Sequence, residues 1–87
     1  MKMYKILFTK EASKYYKKCD SKTKRLLNEC FKDIEQDPFG GSNIKRLHGE
    51  LEGLFRYRVG GLRIIYRPDK EQIIVIIVAI GSRGDIY

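Results

Sequence analysis

The sequence predicts an α+β domain in which two N-terminal helices pack on a small, twisted, mainly antiparallel sheet, in the order βααβββ. Three observations lead there. Apolar residues recur at helical spacing between positions 10 and 36. From position 54 to 80 they alternate, or run together, at strand spacing, and Gly60-Gly61 interrupts the alternating stretch as a hairpin turn. With 87 residues and no linker, repeat or low-complexity stretch, residues 1–87 form a single domain.

Tyr4 to Phe8 reads as the first strand. Thr9 offers an N-cap oxygen to a helix with Glu11 in its first turn, and Ala12, Tyr15, Tyr16 and Cys19 follow as an amphipathic stripe. Asp20 or Ser21 restarts the chain as a second helix with Leu26, Leu27, Cys30, Phe31 and Ile34 on its inner side. So short a break predicts an antiparallel helical hairpin. Asp37-Pro38-Phe39-Gly40-Gly41 ends the second helix, because the residue before proline avoids helical backbone. Residues 40–53 read as loop with a short strand around Ile44 to Leu47. After the hairpin, Pro68-Asp69-Lys70-Glu71 reads as a turn, and Ile73 to Ile80 as an almost wholly apolar strand, central and covered by the helices on at least one face. A four-residue loop at 68–71 sets Arg67 opposite Gln72 and Leu62 opposite Ile77. The last strand then runs past the Gly60-Gly61 end and brings Gly81-Ser82-Arg83 to Arg58 and Arg63, with Tyr87 able to fold back over them.

The hairpin is the most informative segment. A two-residue Gly-Gly turn places Val59 opposite Leu62 and Arg58 opposite Arg63. Side chains alternate across a strand, so Phe55, Tyr57, Val59, Leu62, Ile64 and Tyr66 share an apolar face, while Arg56, Arg58, Arg63 and Arg67 crowd the other. Like charges directly opposite one another destabilise a sheet. An anion with several oxygens, supplied from outside the fold, accounts for them.

Composition points the same way. The net charge is +7, and it is sorted by residue type: nine of the eleven lysines precede residue 40, whereas six of the seven arginines follow it. Lysine on a helix is a solvated face; arginine on a sheet suits phosphate, because its planar fork matches two oxygens. Nucleic acid is therefore the leading partner, with an acidic protein as the alternative. The longest apolar run is strand-sized, short of the ~18 residues of a membrane span, so no membrane is expected. Met1-Lys2-Met3-Tyr4-Lys5 leads into a strand without a signal-peptide layout, and Cys19 and Cys30 read as reduced core thiols; together they predict a cytoplasmic protein, a disulfide being the alternative. With no acidic cluster, histidine pair or phosphate loop, neither a metal nor a cofactor is expected.

Taken in order, the helical pair, Lys45-Arg46-Leu47-His48-Gly49-Glu50-Leu51, Phe55-Arg56-Tyr57-Arg58-Val59-Gly60, Leu62-Arg63-Ile64-Ile65-Tyr66 and Ile80-Gly81-Ser82-Arg83-Gly84-Asp85-Ile86-Tyr87 resemble the RelE branch of the RelE/ParE superfamily of bacterial toxins. The resemblance implies an endoribonuclease that cuts messenger RNA in the ribosomal A site, is held inactive by a cognate antitoxin, and meets operator DNA only through that antitoxin. It further implies catalytic roles for three residues. Arg63 would stabilise the pentavalent phosphate, Arg83 the leaving 5′-oxygen, and Tyr87 would stack on a base or orient the attacking 2′-hydroxyl. Arg56, Arg58, Arg46 and Lys45 would bind RNA. Arg56 and Arg58 stand where the best-known member has two lysines; arginine keeps its proton, so these positions suit charge stabilisation rather than general-base chemistry.

Each residue also has a structural reading. Arg63 could pair with Glu50 or Glu52, Arg56 and Arg58 could dock the antitoxin, and Tyr87 could cap the core edge. His48, the single histidine, Glu50, Glu52 and the chain-terminal carboxylate are minor candidates for the base. Tyr15 and Tyr16 read as core or antitoxin contacts. Two rival functions share the fold: a ParE-like inhibitor of DNA gyrase and a basic nucleic-acid-binding domain without activity. The joint presence of Arg63, Arg83 and Tyr87 favours the nuclease.

Overall fold

The first strand and the first helix are joined by one residue that ties both to the sheet. In the computed structural model, which describes residues 3–82, β1 (Lys5–Phe8) is followed by α1 (Lys10–Lys18), with Thr9 as the N-cap between them. Thr9 Oγ1 accepts from the Ala12 N–H at 3.2 Å and donates to the Val78 carbonyl at 2.8 Å, while its own N–H donates to the Ile77 carbonyl at 3.0 Å. Asp20 caps α2 (Ser21–Gln36) by accepting from the Thr23 N–H; hydrogen bonding to the Thr23 side chain first, and then to its backbone, holds the Asp20 carboxyl below its ordinary pKa. Tyr4 lies outside β1, contrary to the strand predicted from it, because its N–H turns to the Glu35 carbonyl in the last turn of α2 at 2.9 Å.

The rest of the chain forms β2 (Ile44–Arg46), a 3₁₀ turn (Gly49–Leu51), β3 (Phe55–Val59), β4 (Leu62–Asp69) and β5 (Ile74–Ser82). The sheet order is β1-β5-β4-β3-β2, with β1 parallel to β5 and the other pairs antiparallel. Two helices followed by a mostly antiparallel sheet is the α+β class the sequence predicts. Neither helix is long and apolar enough to cross a membrane.

Leu27, Cys30, Phe31 and Ile34 of α2 and Ala12 of α1 meet Phe55, Tyr57, Ile64, Tyr66, Val75, Ile77 and Ile80 of the sheet in one buried cluster. Leu26, expected on the inner side, is 40 % exposed: the stripe runs through its neighbour Leu27, and a residue one position away points about 100° around the helix. Cys19 is half-buried, its thiol donating to the Tyr15 carbonyl, and both cysteines are free.

The predicted hairpin register holds, with Val59 opposite Leu62 and Arg58 opposite Arg63. The next register does not. β4 continues through Pro68 and Asp69, past the point where β3 ends opposite Tyr66, so proline sits where one flank of the strand is open. Residues 70–73 make the turn instead, organised by Asp69, whose Oδ1 accepts from the N–H groups of Glu71 and Gln72. A bulge then inserts Val78 between Ile77, opposite Tyr66, and Ala79, opposite Ile65. Arg67 therefore faces Ile76 rather than Gln72, and Leu62 faces Ser82 rather than Ile77. Within the described residues β5 comes level with the hairpin turn at Ser82, with Ile80 opposite Ile64 rather than beyond the turn, and Gly81 lies directly beside Arg63.

Candidate functional site

The sheet face turned from the helices carries a small apolar cluster of Leu54, Ile65 and Ala79, flanked by Leu47, Leu51 and Val78. Beside it lie two rows of cations. In the first, Arg58 faces Arg63, which faces Gly81; in the second, Lys45 faces Arg56, which faces Ile65. The Arg58 N–H donates to the Asn43 carbonyl at 3.0 Å, on the β2 side. Arg58 and Arg63 thus form a non-hydrogen-bonded pair, the kind that brings side chains closest, with Cα atoms about 4.5 Å apart. Gly81 adds no side chain on the other flank of Arg63.

Arg56 and Arg63 are half-buried, and Arg58 and Lys45 are exposed. The Nε atoms of Arg56 and Arg63 are buried and have no hydrogen-bond partner among the described residues. An unsatisfied buried donor costs about 1–3 kcal/mol, more when the group is charged. Four cations thus share this face, two of them with a buried donor that no described residue satisfies. Next to it, a hollow of about 340 Å³ is lined by Ser42, Asn43, Ile44, Lys45, Arg56 and Arg58.

Of the predicted site residues, the structure brings together Arg56, Arg58, Arg63 and Lys45. Arg46 goes to the opposite face, its guanidinium carbon 5.6 Å from the Phe55 ring centre, because it neighbours Lys45 on β2 and side chains alternate. His48 and Glu52 line a separate hollow of about 400 Å³ with Phe39, Arg46 and Phe55, and Glu50 is exposed in the 3₁₀ turn. Arg83 and Tyr87 lie outside the described residues. Tyr15 approaches Ser82, with Oη and Oγ 3.2 Å apart, and so fastens α1 to the end of β5; Tyr16 donates to Asn28 Oδ1 at 2.9 Å. Among the described residues no three His, Cys, Asp or Glu side chains gather to hold a metal ion.

Ser42 and Asn43 were legible only as loop; their place at the rim follows from the pairing of Lys45 with Arg56, which no local pattern announces. Tyr57 is a further support. It sits between the two arginines of β3 but points to the core, where its hydroxyl donates to Asp33 Oδ2 at 2.6 Å, anchoring the strand to α2. Burial first, and then that hydrogen bond, push the Tyr57 phenol up to about 12. Burial pushes Tyr66, which donates to the Pro38 carbonyl at 2.8 Å, higher still.

Both phenols thus have folded-state pKa values above the unfolded value of about 10. The stability gained by keeping them neutral is complete below pH ~10 and is lost as pH rises toward and beyond the folded values. Absorbance titration is expected to show Tyr57 and Tyr66 ionising only as the fold opens above about pH 11. A single ordinary wave with the fold intact would overturn this.

Comparison with known proteins agrees with the geometry. The family model described as ParE toxin of type II toxin-antitoxin system, parDE, matches residues 6–87. Toxin RelG of Mycobacterium tuberculosis is 33 % identical over 85 residues, covering 97 % of this chain and 95 % of the relative. A chain in the toxin–antitoxin complex RelBE2 of the same organism superimposes with a TM-score of 0.82 at 30 % identity, covering 98 % of this chain and 97 % of that one. The isolated Escherichia coli RelE toxin shares the fold, with a TM-score of 0.80 at 20 % identity over 95 % of this chain and 87 % of that one. With its helical pair, its sheet and nearly its whole length matched, the chain belongs to the ParE toxin family of type II toxin–antitoxin systems, within the RelE/ParE superfamily.

Proposed function

We propose that this toxin is a ribosome-dependent messenger endoribonuclease of the RelE type. The observation that carries the reading is the Arg58–Arg63 pair: two arginines set opposite each other at a non-hydrogen-bonded position of the hairpin, with a buried Arg63 Nε that has no partner among the described residues. RNA cleaves itself when a 2′-hydroxyl lies in line with the next phosphate, and a protein accelerates this by holding that geometry and neutralising the developing charge. Arg63 and Arg58 would clamp the non-bridging oxygens of the scissile phosphate. Arginine gives two parallel donors in a fixed fork, which fits an equatorial pair of oxygens, and it keeps its proton throughout. Arg83 would meet the leaving 5′-oxygen and Tyr87 would orient the attacking nucleotide.

A cognate antitoxin is the expected protein partner, in keeping with the complex in which the RelBE2 relative was solved. The cytoplasm is the expected setting, where message, ribosome and antitoxin meet. The ParE name of the family keeps one rival alive, a gyrase inhibitor on the same fold.

Brief expression followed by primer-extension mapping of message ends, with and without a block on translation, separates the two. Codon-phased new ends that vanish when translation is blocked are the expected result. Chromosome breaks linked to gyrase, with intact message, would overturn the nuclease reading.

A further inference from the structure

The hollow beside Arg58 is lined by three cations, Lys45, Arg56 and Arg58, and by Ser42, Asn43 and Ile44. The lining does not include Arg63. Arg58 both borders the hollow and faces Arg63. The row of Lys45 and Arg56 lies one same-face step along β3 from the row of Arg58 and Arg63, a repeat of about 6.7 Å. That step is close to the one between neighbouring phosphates in an extended single strand of RNA. The next same-face positions are Leu47 and Leu54, joined by a Leu47 N–H to Leu54 carbonyl bond and part of the apolar cluster, so β2 and β3 contribute no third cationic row. Within the second row, the buried Arg56 Nε has no partner among the described residues.

We propose that this hollow seats the phosphate next to the scissile one, so that the toxin grips two consecutive phosphates of one RNA strand. Arg58 and Arg63 take the first; Arg56 and Lys45 take the second, with Ser42 at the rim. The subsite rests on the ribonuclease reading and adds to it a strand path across the sheet and a footprint two phosphates long.

The test uses a short single-stranded RNA spanning a mapped cut, made uncleavable by a 2′-O-methyl group at the attacking position. Its affinity is measured by fluorescence anisotropy at low salt, with an uncharged methylphosphonate placed at one linkage at a time. The wild-type protein should lose about tenfold in affinity from substitution at the scissile linkage, and again at one adjacent linkage, the worth of one charge-assisted contact each. In a Lys45→Gln/Arg56→Gln variant the adjacent penalty should vanish while the scissile one persists. An adjacent penalty that is missing in the wild type, or that survives in the variant, overturns the subsite and leaves the ribonuclease reading standing. Loss of the scissile penalty as well overturns both. If the variant instead loosens only its hold on an acidic partner protein, with every RNA linkage unaffected, the hollow is a carboxylate site and the proposal is overturned.

Discussion

Replacing Arg63 with methionine is expected to slow message cutting by about 10²–10³-fold, the cost of losing one preorganised donor to a developing anion. The same substitution is expected to raise the melting temperature. Methionine keeps an unbranched stem for packing but removes both the buried, unpartnered Nε and the charge set against Arg58. Relief of about 1 kcal/mol from these two sources, like-charge opposition and unsatisfied burial, corresponds to roughly 4–8 °C in a domain of this size. Activity and stability should therefore move in opposite directions. Cutting of ribosome-bound message and thermal unfolding, measured on one preparation, decide it. A fall in both would mean that Arg63 is a structural residue. Near-normal cutting by this variant and by Arg83→Ala would remove the catalytic assignment altogether. Inorganic phosphate provides a further check: it should stabilise the wild-type protein more than the variant, because only the former retains the full clamp.

Much of what the chain announced locally, the fold kept. The hairpin register followed from Gly60-Gly61 alone, since a two-residue turn leaves one way to pair the strands, and Gly60 has the positive φ of +57° that such a turn needs. Thr9 and Asp20 cap their helices because short oxygen-bearing side chains just ahead of an amphipathic stripe have one good use. The apolar and basic faces of β3 and β4 were equally legible from alternation. The β4–β5 register was not. It depends on Asp69 gathering two amides, on Ile73 accepting a φ of +55°, and on a bulge whose carbonyl is satisfied by a residue 69 positions away. Periodicity carries no trace of such contacts. The parallel pairing of β1 with β5 is equally non-local, and it is what brings Thr9 to Val78. At the site, residue types were readable, but the face of Arg46 and the burial of the Arg56 and Arg63 Nε atoms were not; they follow from which strand lies beside which.

Thr9→Val is the substitution expected to damage the fold most for the least change in shape. The lost hydroxyl serves two bonds. As an acceptor it caps α1 through the Ala12 N–H, a contribution of about 0.5–2 kcal/mol; as a donor it satisfies the Val78 carbonyl, which would otherwise be left part-buried and unpaired at a cost of about 1–3 kcal/mol. A combined loss of about 2–3 kcal/mol lowers the melting temperature of a domain this small by roughly 10–20 °C. The effect should also reach the site. The Val78 bulge sets the register that puts Gly81, rather than a residue with a side chain, against Arg63, and a one-residue slip would turn every side chain of β5 beyond it to the other face. Cutting should therefore fall together with stability, the opposite of the Arg63→Met pattern. Thr9→Ser retains both bonds and is expected to stay within about 1 kcal/mol of the wild type. Thermal unfolding of the two variants side by side is the measurement: equal melting temperatures would show that the hydroxyl does not hold the bulge, and a stable Thr9→Val protein that no longer cuts would show that it acts on the site by some route other than the strand register.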